Sequence, residues 1–277
     1  MQEELKILFV SSEVSPFAKT DRTARIAEEL PKVYKEMEQD IRIITPQYRQ
    51  INERKYVLRE VLRLKDIEVK VGSDILTIDV KSAFIPDTSV QVYFVGYEPY
   101  FFRQGMYENR ETGEDFSDND KRFLLFNLGI FETLKKLFWQ PDIIHCLGWQ
   151  TALIPLLLHT NYKDDEFFNN IHTHLTLCSL DEGSKFSDRI LSIIDPGEKI
   201  QEELVSNKNQ EFDFLHAGLQ FADSIDAINS ELAEKVNKFV DKPIRTVSII
   251  GEDGEFASWE KTAEEYITIY KETIAGD

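Results

Sequence analysis

The sequence predicts an α/β protein: a parallel sheet with flanking helices and a β-rich insertion. Three observations carry this. Lys6–Ser12 (KILFVSS), a helical pattern and Asp40–Thr45 (DIRIIT) follow one another within the first 45 residues, and strand, helix, strand at that spacing is a parallel crossover. Asp142–Leu147 (DIIHCL) is another short, continuously apolar run between two helical patterns, as a strand buried on both faces requires. Between these lies Tyr56–Val95, where β-rich segments alternate with turn signals such as GSD and PDTS.

The elements follow in order. After the first strand comes a turn, Glu13–Thr20. The helix beyond it places Ala24, Ala27, Leu30, Tyr34 and Met37 on one face. Pro31 predicts a kink or a new helix start there. Pro46 stops the second strand. Ile67–Val71, Ile75–Phe84 and Val90–Val95 read as the hairpins or meander of the insertion. Gly96–Asn119 is a polar and aromatic loop, long for a connection, so its aromatics serve either function or packing. Asp120–Phe138 is a periodic helix with Phe123, Phe126, Ile130, Leu134 and Leu137 in line. Gln150–His159 is an apolar helix, Asn170–Leu177 a strand, and Ser179–Glu203 a mixture of loop and helix. Phe212–Phe221 is helical, Ser224–Asn229 a short strand, Ser230–Val240 a helix capped by Ser230. Arg245–Ile250 is a last strand. Ser258–Tyr270 is a helix with Ser258 as N-cap. Repeats, low-complexity tracts and linkers do not stand out.

Composition narrows the function. The chain has 277 residues, of which 42% are hydrophobic, enough for a core. The formal net charge of −18 argues against nucleic-acid binding. A phosphate site on such a chain must be local, built from a helix start and one or two cations. Apolar stretches stay short of the roughly 18 residues of a membrane span, so no membrane is expected. The acidic N-terminus is unlike a secretory signal, and the two cysteines, Cys146 and Cys178, belong to no CxxC pair. A cytoplasmic protein with reduced thiols is the expectation.

Ligands of an open parallel sheet bind beyond the carboxyl ends of its strands. The residues there are Glu13, Lys19, Thr20, Asp21 and Arg22 after the first strand. Leu147, Gly148, Trp149 and Gln150 follow DIIHC. Leu177, Cys178 and Ser179 follow the strand that contains His172 and His174.

These same stretches resemble bacterial glycogen synthases and plant starch synthases. KILFVSSEVSPFAKT resembles their opening. DIRIITPQY, VYFVGYEPYFFRQGMY, DFSDNDKRF, PDIIHCLGWQTALIPLLL and DFLHAGLQFADSIDAINSELAEKV follow in the family's order, from Leu5 to about Val236. FASWEKTAEEYITIYKE is similar to the family's last helix, which returns to the N-terminal domain. The resemblance implies a Rossmann-like fold, that of the N-terminal domain of a GT-B glycosyltransferase. It implies one domain over 1–277, with a body over 1–240 and a returning helix over 255–273. The family's second Rossmann domain lies between those two parts, and here only the fifteen residues Val240–Gly254 separate them, too few for a domain. The family transfers glucose from a nucleotide diphosphate-glucose to an α-1,4-glucan.

The family's motifs are partly replaced. Its first turn, K-T-G-G-L-A-D, corresponds to Lys19-Thr20-Asp21-Arg22-Thr23-Ala24-Arg25. Lys19 and Thr20 are kept. Asp21 puts a carboxylate where a phosphate approaches the helix start, and can cap that helix. Arg22 and Arg25 are either surface residues or a new anion clamp. H-x-H-D-W corresponds to His145-Cys146-Leu147-Gly148-Trp149, with the second His and the Asp lost. I-H-N corresponds to Ile171-His172-Thr173. His145 and His172 are thus remnants or core histidines. Asp118, Asn119, Arg122 and Phe123 are kept, either as helix cap and packing or as part of a glucan surface with Tyr97, Tyr100, Phe101, Phe102 and Tyr107.

The resemblance therefore implies a degenerate, non-catalytic relative that binds glucan or acts as a partner or regulator in glycogen metabolism. The alternative is a glucosyltransferase that takes its donor domain from a partner subunit. A third reading is another small-molecule site around Lys19 and the arginines. Expected ligands are an α-glucan or a nucleotide-sugar; expected associates are a second copy or a glycogen-metabolism protein. No metal or cofactor is expected.

Overall fold

The structure is a computed structural model and describes residues 4–20, 22–180, 182–206, 211–238, 244–247, 249–250 and 255–276. In chain order the elements are β1 (Lys6–Ser11), α1 (Arg22–Glu36), β2 (Asp40–Pro46), β3 (Arg59–Glu60), β4 (Ile67–Val71), β5 (Asp74–Phe84) and β6 (Gln91–Gly96). Then come α2 (Glu98–Phe101), α3 (Asn119–Leu137), β7 (Ile143–Leu147), α4 (Leu153–His159), β8 (His172–Leu177), β9 (Lys185–Ser187), α5 (Leu191–Ile194) and α6 (Glu198–Leu204). The chain continues through β10 (Val205–Ser206), β11 (Glu211–Asp213), α7 (Phe214–Phe221), β12 (Ser224–Ala227), α8 (Ser230–Val236), β13 (Arg245–Thr246) and α9 (Trp259–Ala275).

The main sheet has the order β13-β12-β8-β7-β1-β2-β6-β5-β3, with β4 paired to β5. From β13 to β6 every pairing is parallel. β5 then pairs antiparallel to β6, and β3 and β4 pair antiparallel to β5, which is the expected insertion. The strand order reverses at β1: the chain steps from β1 to β2 and β6 on one side, then returns to β7, β8 and β12 on the other. The crevice beyond the carboxyl ends of β1 and β7 is therefore the switch point, where open α/β sheets bind ligands.

β1 and β7 are apolar because both of their faces are covered. Ile7, Leu8, Phe9, Val10, Ile143 and Ile144 are fully buried. α9 packs on α1 and reaches β8, while α4 packs on α3 and α7. Right-handed crossovers place these two groups on opposite faces of the sheet. All five apolar positions expected along α3 are buried. Its C-terminus closes on Phe138 in the left-handed region, at φ 52°.

Several local expectations change. α1 runs through Pro31 without a break, and Pro31 itself is buried. α8 is capped by Asn229, whose side chain accepts from Leu232 N, and not by Ser230. Phe212 belongs to β11, and α7 begins at Phe214 under an Asp213 cap that accepts from Leu215 and His216 N. Val205–Ser206, Glu211–Asp213 and Lys185–Ser187 form a small antiparallel sheet that sequence periodicity is too short to reveal. Ser258 does cap α9. The expected last strand is described only as Arg245–Thr246. No described helix is long and apolar enough to cross a membrane.

Candidate functional site

A cavity of about 350 Å³ opens at the switch point. Ser12 and Glu13 come to it from the exit of β1, Gly148 and Trp149 from the exit of β7, and Cys178 and Ser179 from the exit of β8. The loop before α3 closes it with Gly105, Met106 and Tyr107.

Glu13 organises this cavity. Its carboxylate accepts the backbone N–H of Thr20, the Thr20 hydroxyl at 2.5 Å and the Tyr107 hydroxyl at 2.7 Å. Ser12 Oγ lies 2.8 Å from the same Tyr107 oxygen. The turn after β1 is thus tied both to itself and to a loop some ninety residues later. Burial pushes the Tyr107 phenol well above its ordinary range, with Tyr48 and Glu13 adding to the shift, so it stays protonated and donates.

Arg122 holds that loop. It is fully buried on α3. Its guanidinium donates to the carbonyls of Tyr100 and Met106, each at 2.9 Å, and to Asn119 Oδ1 at 2.5 Å. Asn119 in turn donates to the carbonyl of Tyr107 at 2.9 Å. Asp118 does not cap α3 with its side chain. Its carboxylate takes both Arg103 nitrogens at 2.7 Å; despite the cost of partial burial, that pairing holds its pKa below the usual carboxylate value. The intact Asp118-Asn119-Arg122 group is therefore an armature for the cavity wall, and Asn119 also lines it.

The expected site residues divide into four places. Thr20, Tyr107, Asn119, Trp149 and Gln150 line the cavity. Lys19, Thr20, Arg22 and Arg25 line a second concavity beside it. His145 is in the core. His172 is at the entry of β8, the end of the strand remote from Cys178, and its backbone N–H bonds Asp142. The strand exit that faces the cavity carries Cys178 and Ser179 instead. Asp21 lies outside the described residues. Of the aromatic loop, Phe101 is fully buried while Tyr97 and Tyr100 pack edge to face at 5.0 Å. Trp149 is 6% exposed and packs on Phe123 and Phe186.

His145 belongs to a closed polar network under the sheet. Its Nδ1 lies 2.6 Å from Tyr270 OH and its Nε2 2.7 Å from Thr176 Oγ1. Thr176 and Tyr266 both donate to Asp226, at 2.5 and 2.9 Å. His174 bridges Asp226 and Ser224 at 2.8 Å each. Tyr34 completes the chain, with its hydroxyl 3.2 Å from that of Tyr270. Burial, and secondarily the neighbouring His174, depress the pKa of His145 well below the ordinary histidine value. A neutral, fully enclosed imidazole with both nitrogens engaged does not reach a ligand in the cavity. Sequence reading missed this network because its members come from β7, β8, β12, α1 and α9, far apart in the chain. Glu13 was visible as a residue after the first strand, but nothing local marks it as the hub.

Gly148 stands where the resemblance places the family's aspartate. Its backbone has φ 77° and ψ 176°, a region open essentially to glycine alone. The chain there is shaped around the glycine rather than merely lacking a carboxylate. Among the described residues no cluster of His, Cys, Asp and Glu has the arrangement of a metal site.

Comparison with known proteins follows the same lines. The sequence matches the family model described as "Starch synthase catalytic domain" over residues 6–242. It is 35% identical over 238 residues to a glycogen synthase of Chlorobium phaeobacteroides, an alignment covering 85% of this chain and 48% of that protein. It is 44% identical over 172 residues to a glycogen synthase of Chlorobium luteolum, covering 62% and 35%. The chain thus spans about half the length of the curated relatives it matches. Among solved structures, it superposes on the catalytic domain of starch synthase IV from Arabidopsis thaliana bound to ADP and acarbose. That match has a TM-score of 0.71 at 17% identity, over 98% of this chain and 50% of the other, and it establishes the GT-B-type fold. With the family match over residues 6–242 and the switch-point cavity in place, the chain belongs to the starch synthase catalytic domain family.

Proposed function

We propose that this protein is a non-catalytic member of the glycogen and starch synthase family that binds α-glucan, acting as a partner or regulator in cytoplasmic glycogen metabolism. The observation that carries this is the exit of β7. Leu147 and Gly148 stand in place of the family's second His and Asp, Gly148 in a backbone conformation suited to glycine. The retained His145 is sealed in the core with both nitrogens bonded. The cavity keeps the features that suit a sugar: hydroxyl and carboxylate groups of Ser12, Thr20 and Glu13 beside the rim of Tyr107 and Trp149. Such a mix of polar groups and aromatic faces is what small-molecule sites offer.

Co-sedimentation with glycogen tests this reading. The protein is expected in the pellet, and maltoheptaose is expected to release it. A protein that stays in the supernatant at every glycogen concentration contradicts glucan binding. Light scattering after size exclusion, with and without glycogen, reads the association state that a partner role implies.

One observation favours a second reading, a glucosyltransferase completed by a partner subunit. Lys19 is exposed and has no ion pair among the described residues, as a residue waiting for a donor phosphate would. The segment between α8 and α9 is too short for a donor domain, so in this reading the donor side comes from elsewhere. Glucose transfer to glycogen that needs a second protein would favour it.

A further inference from the structure

α9 is held to the sheet by hydroxyl groups as much as by apolar packing. Tyr266 and Tyr270, their rings stacked at 5.9 Å, are fully buried, and both reach the polar network under β7, β8 and β12. The other buried positions of the helix are small or aliphatic: Thr262, Ala263, Ile267, Ile269 and Thr273. An element whose hold is light in apolar contacts belongs to the low-stability end of a fold. α9 also borders the ligand cleft. Phe256, just ahead of its Ser258 cap, walls the second concavity, packs on Trp259 at 4.9 Å and lies under the Arg25 guanidinium.

The network that holds α9 has a fixed direction. The Asp226 carboxylate only accepts, so the Thr176 hydroxyl donates to it. Thr176 Oγ1 therefore accepts from His145 Nε2–H, at 2.7 Å. A neutral imidazole has one N–H. His145 Nδ1 is thus left to accept from Tyr270, at 2.6 Å, and the Tyr270 oxygen to accept from Tyr34, at 3.2 Å. A proton added at Nδ1 reverses the last two bonds. Tyr270 must then accept from His145 and donate to Tyr34, and the Tyr34 hydrogen has no acceptor among the described residues. His174 is less constrained, because its Nδ1 faces the half-buried Ser224 hydroxyl, which can turn either way.

We propose that α9 is an acid-released clasp: one proton taken up at His145 Nδ1 detaches Tyr270, and α9 with it, from the sheet before the rest of the chain unfolds. The surroundings of His145 oppose that proton in the closed state. β1 presents the Phe9 ring at 4.4 Å, β8 the His174 ring at 4.9 Å, and α9 the Tyr266 ring at 5.0 Å. Asp226 on β12 has its oxygens taken by Thr176, Tyr266 and His174. Burial, and secondarily His174, hold the His145 pKa well below the ordinary 6.5. The released state carries an ordinary histidine, so release takes up a proton and gains as the pH falls. Glu265 on α9 works the other way. Burial first, and Asp226 second, raise its pKa, so its protonation relieves repulsion and favours docking. Release reshapes the cleft wall at Phe256 whatever the ligand, and the inference does not depend on glucan binding.

Hydrogen exchange of the full chain between pH 7.5 and 5.5, read by mass spectrometry on peptides of α9 and α3, tests the clasp. Rates are corrected for the intrinsic pH dependence of exchange. α9 is expected to be less protected than α3 throughout. Its protection is expected to fall about tenfold across that range, as uptake of one proton by a histidine of ordinary pKa 6.5 gives. His145→Gln keeps a donor and an acceptor without a titrating ring, and is expected to flatten the α9 profile. Equal protection of α9 and α3 at pH 5.5 overturns the proposal, because the helix then leaves only when the whole chain unfolds. α9 protection that does not change with pH also overturns it. Both of these outcomes are read on the unaltered chain and stand even where His145→Gln fails to fold. A pH dependence that survives His145→Gln overturns the assignment to this histidine.

Discussion

The imidazole Nδ1 of His145 lies 2.6 Å from the hydroxyl of Tyr270. This bond joins β7, whose exit forms the cavity, to α9, which arrives 125 residues later. The residue with the strongest likeness to a catalytic motif therefore fastens a helix. Tyr270→Phe deletes the hydroxyl and leaves His145 Nδ1 and Tyr34 OH short of a partner in the core. Leaving a buried polar group unpaired costs about 1–3 kcal/mol. Urea denaturation is expected to show a lower midpoint by that amount, with little change in glycogen co-sedimentation.

The same histidine sets a pH dependence. Its folded-state pKa is depressed by burial from an ordinary value of 6.5. The unfolded chain therefore takes up a proton near pH 6.5 that the folded chain refuses. Stability from this group is complete above that pH and falls as the pH drops toward the depressed folded value. The slope approaches about 1.4 kcal/mol per pH unit. Denaturation curves between pH 7.5 and 5 should show the decline, and a flat profile over that range contradicts a buried neutral His145.

Arg122 makes a prediction that separates scaffold from ligand contact. Arg122→Lys keeps the charge but cannot reach the carbonyls of Tyr100 and Met106 and Asn119 Oδ1 together. We expect a loss of about 3 kcal/mol, from more than one buried acceptor left unpaired, and faster proteolysis within residues 97–118. A fold of unchanged stability with weakened sugar binding would instead make Arg122 a ligand contact.

Gly148→Asp restores the family's motif on paper. At φ 77° and ψ 176° the substitution costs about 1–3 kcal/mol, and its Cβ would meet Gln150 Oε1 at 3.1 Å. A lowered thermal midpoint and no gain of glucose transfer are the expected outcome, read by calorimetry and by nucleotide release.

The sheet was legible in the sequence because its signals are local. A strand, a helix and a strand within 45 residues give β1, α1 and β2, and the turn signals around GSD and PDTS give the insertion. The site was legible only in part. Thr20, Asn119, Trp149 and Gln150 lie between a strand and a helix or at a helix start, and position brings them to the cavity, whereas Tyr107 reaches it from the middle of the loop between α2 and α3. His172 and His174 lie two residues apart on one strand, and nothing in their spacing tells which end of β8 faces the ligand. The roles of Glu13, Arg122 and Asp226 rest on partners dozens of residues away, which periodicity cannot register. Pro31 starts no new helix because α1 continues through it with Pro31 on the buried face, where packing offsets one missing N–H.

Glucan binding without glucose transfer is tested most directly by one incubation of the protein with glycogen and radiolabelled ADP-glucose, followed by sedimentation. The account predicts protein in the glycogen pellet and label remaining in the nucleotide-sugar, at the level of a protein-free blank. Label entering glycogen in proportion to the protein added, and lost in Lys19→Ala, would contradict it.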